Sequence, residues 1–167
     1  MSTEAGAVVG GEPGAAVGAV TAEEQNSDYE SGLARIGEEL WRIRTARVTP
    51  TKPGAFVALW RRNAIGETEP FPASETAVAG ALIFVSEHHD GTGRTGVFRF
   101  TRDHLSALGV LSSPARPGKR GFRVYPPWAQ ELNRQAARTQ AAQAAAFVAI
   151  GRWRKRGGTR TSVTGDR

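Results

Sequence analysis

Alternation of apolar and polar positions is the main pattern in the middle of the chain. LWRIRTARV (40–48) places Trp41 and Ile43 on one face and two arginines on the other, which is the period of a β-strand. AFVALWRRN (55–63) has several strand-forming residues. Between them, residues 49–54 contain two prolines and a glycine, which are typical turn residues. We therefore predict an antiparallel pair of strands joined by this turn.

Further strands follow in the same central region. AVAGALIFVSE (77–87) is a continuous apolar run, which is typical of a central strand buried on both faces. An Asp-Gly turn separates it from RTGVFRF (94–100), its predicted hairpin partner. RGFRVY (120–125) is another predicted strand, and the prolines of PPW end it because proline cannot donate to a ladder.

Two segments have helical character. In TRDHLSALGVL (101–111), Thr101 is the predicted N-cap and Gly109 the predicted stop. Residues 130–151 have high helix propensity and contain no proline, and no glycine before the last residue. The whole pattern predicts the α+β class. We expect a single domain with a mainly antiparallel sheet of about five strands, and with a short helix and a C-terminal helix packed on it.

The two ends of the chain show neither the two-residue period of a strand nor the period of a helix. Residues 1–22 are rich in Gly, Ala and Val, and we predict a disordered low-complexity leader. Residues 151–167 are basic and rich in Gly and Thr, and we predict a disordered tail. One domain, residues 23–150, lies between them, and its length suits a single core.

Composition narrows the classes of function. The chain has no cysteine, which excludes disulfides, thiolate catalysis and cysteine-based zinc sites. It has no signal-peptide pattern and no run near the roughly 18 apolar residues of a membrane span. We expect a cytoplasmic protein that uses no cofactor, no metal and no membrane, and the oligomeric state stays open.

Charge is distributed unevenly behind a net value of +6. Residues 1–30 hold six acidic residues and no lysine or arginine, whereas residues 31–150 hold 16 cationic and nine acidic residues. The predicted domain is therefore basic, which favours anionic partners such as nucleic acid or phosphorylated ligands. Solubility and codon usage are the competing explanation, because arginine outnumbers lysine 19 to 3.

The usual catalytic motifs are absent from the sequence. His88 and His89 are neighbours in a predicted hairpin, where adjacent side chains point apart and share no metal. No acid stands two residues before any lysine, so the (Asp/Glu)-x-Lys pair of many nucleases is missing. There is also no phosphate loop and no nucleophile elbow. We lean away from an enzyme; the alternative is a metal-dependent nuclease-like enzyme with a non-standard acidic cluster, from Glu38 and Glu39 or from Asp28 and Glu30.

Basic and aromatic residues supply the remaining candidate site. The turn at 49–54 offers two hydroxyls and a lysine, and KRGFRVY (119–125) offers three cations and a tyrosine. Cations beside a ring supply phosphate contacts and a stacking surface. We expect Phe122 and Val124 to be core residues, so only the other face of that strand is free for function. The predicted ligand- or phosphate-binding residues are Thr49, Thr51, Lys52, Lys119, Arg120, Arg123 and Tyr125, with Arg42, Arg44 and Trp128 as further candidates.

Several of these stretches, in order, resemble the MepB family of bacterial proteins. TPTKPGAFVALWRR, GVFRFTRDHLSALGVLS, KRGFRVYPPW and QAARTQAAQ carry the likeness, which covers about residues 23–150. The family is largely uncharacterised, and nucleic-acid binding has been suspected for it. Its motifs correspond to Thr49, Pro50, Thr51, Lys52 and Gly54, to Lys119, Arg120, Phe122, Arg123, Tyr125, Pro126, Pro127 and Trp128, and to Glu24, Ser27 and Tyr29.

The chain departs from that family at three places. The low-complexity leader replaces a helical segment, Ala55 stands where a glutamine is common, and Ala141 or Ala142 stands where a tryptophan is common. The resemblance implies a MepB-like protein of poorly defined function. From the basic and aromatic residues we predict that it binds nucleic acid or another phosphate-bearing ligand on a basic sheet face. A protein-interaction module, with the acidic leader masking that face, is a further alternative. Any such site requires Lys52 and Arg123 to lie in one cleft.

Overall fold

Strands dominate the chain. The computed structural model describes residues 17–22 and 32–154, with side chains for residues 32–152. In chain order the elements are β1 (Val17–Ala22), β2 (Gly32–Ile36), β3 (Glu39–Thr45), β4 (Arg47–Thr49), β5 (Lys52–Ala58), β6 (Arg61–Arg62), β7 (Thr68–Glu69), β8 (Val78–His89), β9 (Thr92–Thr101), α1 (Arg102–Ala107), β10 (Gly121–Val124), α2 (Arg134–Gln143) and β11 (Phe147–Arg154).

Six strands form the main sheet, in the order β1-β2-β3-β8-β9-β11. All neighbours are antiparallel except β3 and β8. A parallel pair needs a long crossover connection, and the chain between β3 and β8 supplies one that contains β4–β7. The mainly antiparallel α+β prediction is confirmed, although the main sheet has one strand more than the five we expected.

Strand β8 is the centre of the fold. Leu82 belongs to one apolar cluster, whereas Ile83 and Val85 belong to another on the opposite face, so the prediction of a strand buried on both faces is confirmed. Its hairpin with β9 is confirmed as well. Asp90 and Gly91 both have positive φ at the turn, the conformation that two-residue hairpin turns of the I′ type require.

A smaller sheet, in the order β10-β5-β4, packs on the main sheet. The core between them contains Val57 and Val124 from the small sheet and Ile83, Phe98 and Phe100 from the main sheet. The rings of the two phenylalanines are stacked with centroids 5.3 Å apart. The outer face of the small sheet is therefore free to carry polar residues, and the candidate site lies there.

The predicted strand 40–48 is wrong in extent, because the chain divides at Ala46. Strand β3 lies in the main sheet and β4 in the small sheet. Ala46 is 5% exposed, and its N–H donates to Phe84 O at 2.8 Å. Of these two strands, β4 pairs with β5 and β3 does not. Strand β5 runs from Lys52 to Ala58 rather than over 55–63. Alternation continues across Ala46 since both halves stay extended, so the pattern did not reveal the break.

The predicted helix 130–151 is also wrong in extent. Its helical part is α2, which begins after the N-cap Asn133, whose side chain accepts a hydrogen bond from Ala136 N at 2.8 Å. A 3-10 turn, Ala144–Ala146, leads into β11. Strand β11 pairs with β9, where Phe147 lies opposite Phe98. This long-range pairing overrides helix propensity in the alanine-rich stretch.

The short helix α1 forms as predicted. Thr101 Oγ1 accepts a hydrogen bond from His104 N at 3.2 Å, and Gly109 has a φ of +72°.

The main sheet includes residues that we assigned to the leader and the tail. Residues 17–22 form β1, and β11 continues to residue 154. The rest of the leader and tail lies outside the described residues. Within the described ranges, no helix is long and apolar enough to cross a membrane.

Candidate functional site

Strand β10 divides its residues between the core and the surface. Phe122 and Val124 are 8% and 0% exposed and lie in the core. Lys119, Arg123 and Tyr125 have the opposite parity and line a groove on the outer side. The two-residue period of a strand thus separates the packing residues from the candidate ligand-binding residues.

The groove has an open volume of about 740 Å³ and runs over β10, between the β4–β5 turn and helix α2. The turn contributes Lys52, and α2 contributes Arg138. All the residues that line it are described, and none of them is Asp or Glu. We call it the basic groove, and its four cations are Lys52, Lys119, Arg123 and Arg138.

The two predicted motifs meet through Arg123. Its Nη2 donates to Thr49 Oγ1 at 2.9 Å, and its Nη1 donates to Pro53 O at 3.3 Å. Gly54 allows a second close approach, to Tyr125 just after the end of β10. It has a φ of +75°, and a Cβ there would lie 2.7 Å from both Tyr125 Cδ1 and Val124 O. A glycine is therefore required for the tyrosine ring to lie against the turn.

Gln143 attaches α2 to the free edge of β10. It is 1% exposed, its Oε1 accepts from Tyr125 N at 2.9 Å, and its Nε2 donates to Arg123 O at 2.8 Å. One glutamine side chain thus makes the hydrogen bonds that a neighbouring strand would make. Gln140 Nε2 also donates to Pro126 O at 2.9 Å. Both contacts hold the helix beside the groove.

The charge of the groove is available to a ligand. Lys52, Lys119 and Arg138 are exposed, and none of the three makes an ion pair with a described residue. Arg123 uses two of its five N–H donors within the described part of the chain. Gln135, in the first turn of α2, also lines the groove, so the positive end of the helix dipole adds to its potential.

Three other predicted residues lie outside the basic groove. Thr49 supports it indirectly as the acceptor for Arg123. Thr51 is on the opposite side of the turn and lines a neighbouring groove of about 450 Å³. Arg120 has the opposite parity to Lys119 and donates to Thr68 Oγ1 at 3.2 Å. Four of the seven predicted residues therefore line the groove: Lys52, Lys119, Arg123 and Tyr125.

Arg42 and Arg44 lie on β3, in the main sheet, and are not brought to the groove. Arg42 Nη2 contacts Glu75 Oε1 at 2.8 Å, and its guanidinium lies 3.6 Å from the centre of the Phe71 ring. Arg44 is 0% exposed, and its Nη1 donates to Ile43 O at 2.8 Å. Strand alternation does not distinguish such buried arginines from surface ones.

Trp128 lies at the seam between the PPW segment and β11. Its ring meets Phe147 edge to face with centroids 5.4 Å apart, and the Arg94 guanidinium lies 5.3 Å from its centre. It lines the neighbouring groove together with Glu87 and Glu131. These contacts support a packing role for Trp128 rather than a role in base stacking.

Sequence reasoning missed the contribution of α2. Gln135, Arg138 and Thr139 line the groove at helical spacing, whereas Ala136 and Gln143 are buried. The available signal was the polar stripe in QAARTQAAQ, which recurs every three to four residues. We interpreted Thr139 as part of a thin apolar stripe, with Arg138 and Gln135 beside it, and assigned none of the three to the site.

The acidic residues of the nuclease alternative are not in the groove. Glu38 and Glu39 lie where β2 turns into β3, and Glu39 Oε2 accepts from Trp41 Nε1 at 3.3 Å. Asp28 and Glu30 are outside the described residues. In the described part of the chain, no three His, Cys, Asp or Glu side chains are grouped so that they could hold a metal ion.

Comparison with known proteins identifies relatives of this chain. The MepB-like family model matches residues 23–149. A solved structure, the crystal structure of MepB, is 32% identical, with a TM-score of 0.71, over 80% of this chain and 86% of that chain. No curated protein matches the chain.

Proposed function

The chain belongs to the MepB-like family, and we propose that it binds nucleic acid, or another phosphate-bearing ligand, in the basic groove. The observation that carries this proposal is the composition of the lining: four cations, one tyrosine and no carboxylate. Phosphate oxygens are the natural ligands of such a surface. These ligands are abundant in the cytoplasm, so the proposal includes a cytoplasmic location.

The arrangement of Arg123 supports the proposal. Its guanidinium is held by Thr49 and Pro53 before any ligand arrives. A cation that is already oriented loses less conformational entropy on binding than a free one. Lys52 and Lys119, by contrast, are exposed, and a lysine acts as a point charge toward phosphate. The groove thus combines one oriented fork with three surrounding cations.

The adjacent residues Lys119 and Arg120 offer a matched test. We expect Lys119→Ala to weaken binding of a fluorescent oligonucleotide about tenfold, the effect of one charge-assisted hydrogen bond. Arg120→Ala removes the same charge from a side chain that donates to Thr68 Oγ1 and does not line the groove. We expect it to change binding less than about twofold, because the ligand makes no hydrogen bond to that side chain. Fluorescence anisotropy measures both. Equal losses in the two variants would mean that net charge alone, rather than the groove, drives binding.

Competition separates the classes of phosphate-bearing ligand. Inorganic phosphate, a nucleoside monophosphate and an unlabelled oligonucleotide are each titrated against the bound probe. We expect the oligonucleotide to compete best, because only it reaches all four cations at once. Equal competition by the monophosphate would identify a small phosphorylated ligand. If the wild-type protein binds none of the three at low salt, the proposed function is wrong.

A further inference from the structure

The dimensions of the basic groove are those of a small-ligand pocket. Its volume of about 740 Å³ lies within the roughly 300–1,000 Å³ that such pockets occupy. A duplex carries its phosphates on a convex outer surface and keeps its base faces stacked. Its phosphates could meet the cations of the groove, whereas Tyr125 would have no unstacked base to contact.

Tyr125 adds a surface that a duplex cannot use. The ring lies against Gly54 and lines the groove among the cations. A cationic track with an aromatic ring is the combination by which proteins hold single strands, since every unpaired base can stack on a ring. Gln135 is exposed on the facing side of α2, and an amide there can bond to the exposed edge of a base.

The neighbouring groove limits how far an anionic strand can extend. It shares Lys52 with the basic groove but is also lined by Glu87 and Glu131. Its other cation, Arg94, is paired with Glu87 at 3.2 Å. The region without carboxylates therefore ends at the β4–β5 turn, which favours a short segment of strand with about as many phosphate contacts as the groove has cations.

From these three observations we propose that the basic groove takes a short single-stranded segment of nucleic acid, with phosphates on the four cations and a base on Tyr125. This inference rests on the proposed function and narrows it to one class of ligand. The strand is held without cleavage or any other covalent step. The site discriminates by exposing the ring and the amide only to an unpaired base.

The test compares one sequence as an unpaired oligonucleotide and as a blunt-ended duplex with its complement. We expect the unpaired form to bind at least tenfold more tightly at about 0.1 M salt. The slope of log affinity against log salt should be near −3 for the unpaired form, because four phosphate contacts contribute about −0.7 each. A duplex that binds as tightly as the single strand, or more tightly, overturns this inference and leaves the proposed function standing. Absence of binding to both forms overturns the proposed function itself.

Substitutions at two positions test the details. We expect Tyr125→Leu to weaken single-strand binding about fivefold or more through loss of stacking, whereas Tyr125→Phe keeps wild-type affinity. Arg138→Ala, at an exposed helix position, should reduce the magnitude of the salt slope by about 0.7. This variant tests the proposal even if Tyr125→Leu does not fold. An unchanged affinity in a folded Tyr125→Leu, or an unchanged slope in Arg138→Ala, contradicts the proposal.

Discussion

Close approach between the β4–β5 turn and the chain around β10 shapes the groove at the residue scale. Tyr125 lies against the turn because Gly54 has no side chain, and Arg123 donates a hydrogen bond to Thr49. The charged residues supply the potential, whereas the glycine sets the distance. The split between core and surface residues on β10 follows from alternation alone, so it was predictable at this scale. The approach of the two motifs was not, since Thr49 and Arg123 are 74 residues apart.

A glycine pair tests this role of Gly54. Gly37 also has positive φ, at +60°, but a Cβ there meets nothing within 4 Å. We expect Gly37→Ala to lower the free energy of unfolding by about 1 kcal/mol, the strain of left-handed backbone. Gly54→Ala should lower it by about 2–4 kcal/mol, because overpacking against Tyr125 and the Val124 carbonyl is added. Urea unfolding measures both, and equal losses would exclude the packing explanation.

At the scale of elements, the small sheet and α2 form one unit around the groove. Strand β10 is an edge strand, and exposed edges invite unwanted pairing. The buried side chain of Gln143 occupies that edge between Arg123 and Tyr125. Through the hydrogen bonds of Gln143, helix α2 covers the free edge of β10 and forms one side of the groove.

Replacement of Gln143 tests this contact. We expect Gln143→Leu to lower the free energy of unfolding by about 2 kcal/mol or more, since Tyr125 N and Arg123 O lose their partner and each unpaired buried group costs about 1–3 kcal/mol. Gln135→Leu, at an exposed position of the same helix, should change it by less than about 0.5 kcal/mol. Urea unfolding compares the two variants. A loss as small for Gln143→Leu as for Gln135→Leu would show that water replaces the glutamine without cost.

Local patterns predicted the elements better than their partners. The β8–β9 hairpin and α1 needed only nearby residues, an Asp-Gly turn and a threonine cap, and both were predicted. The break at Ala46 and the strand β11 depend on distant strands, β8 and β9. Propensity within a segment carries no information about such partners, which is why α2 was predicted too long and its groove-lining face was missed.

Over the whole molecule, charge is segregated. The basic groove has no carboxylate, whereas Arg42 and Arg61 on another part of the surface both contact Glu75, at 2.8 Å and 3.9 Å. The sequence predicted a basic domain but not which cations would be neutralised, because pairing depends on the folded arrangement. The four cations of the groove are therefore better site candidates than the density of arginine along the chain suggested.

The acidic leader offers the last test at this scale. A leader that masks the groove should raise affinity for an oligonucleotide when it is removed. The cut belongs before Val17, because residues 17–22 pair with β2 as strand β1 and their loss would disturb the sheet. Residues 1–16 carry only two of the six acids that precede residue 31. Since salt screens charges beyond about 8 Å at 0.15 M, we expect deletion of 1–16 to change affinity less than twofold there.

Binding of the truncated and full-length chains is compared by anisotropy at 0.15 M and at about 0.01 M salt, where screening extends to about 30 Å. A modest rise in affinity at low salt alone agrees with unscreened long-range repulsion between Glu4 or Glu12 and the ligand. A rise of fivefold or more at 0.15 M would instead require direct contact between the leader and the groove. That result would favour the interaction-module hypothesis, in which the groove of the full chain holds its own acidic segment until a partner displaces it.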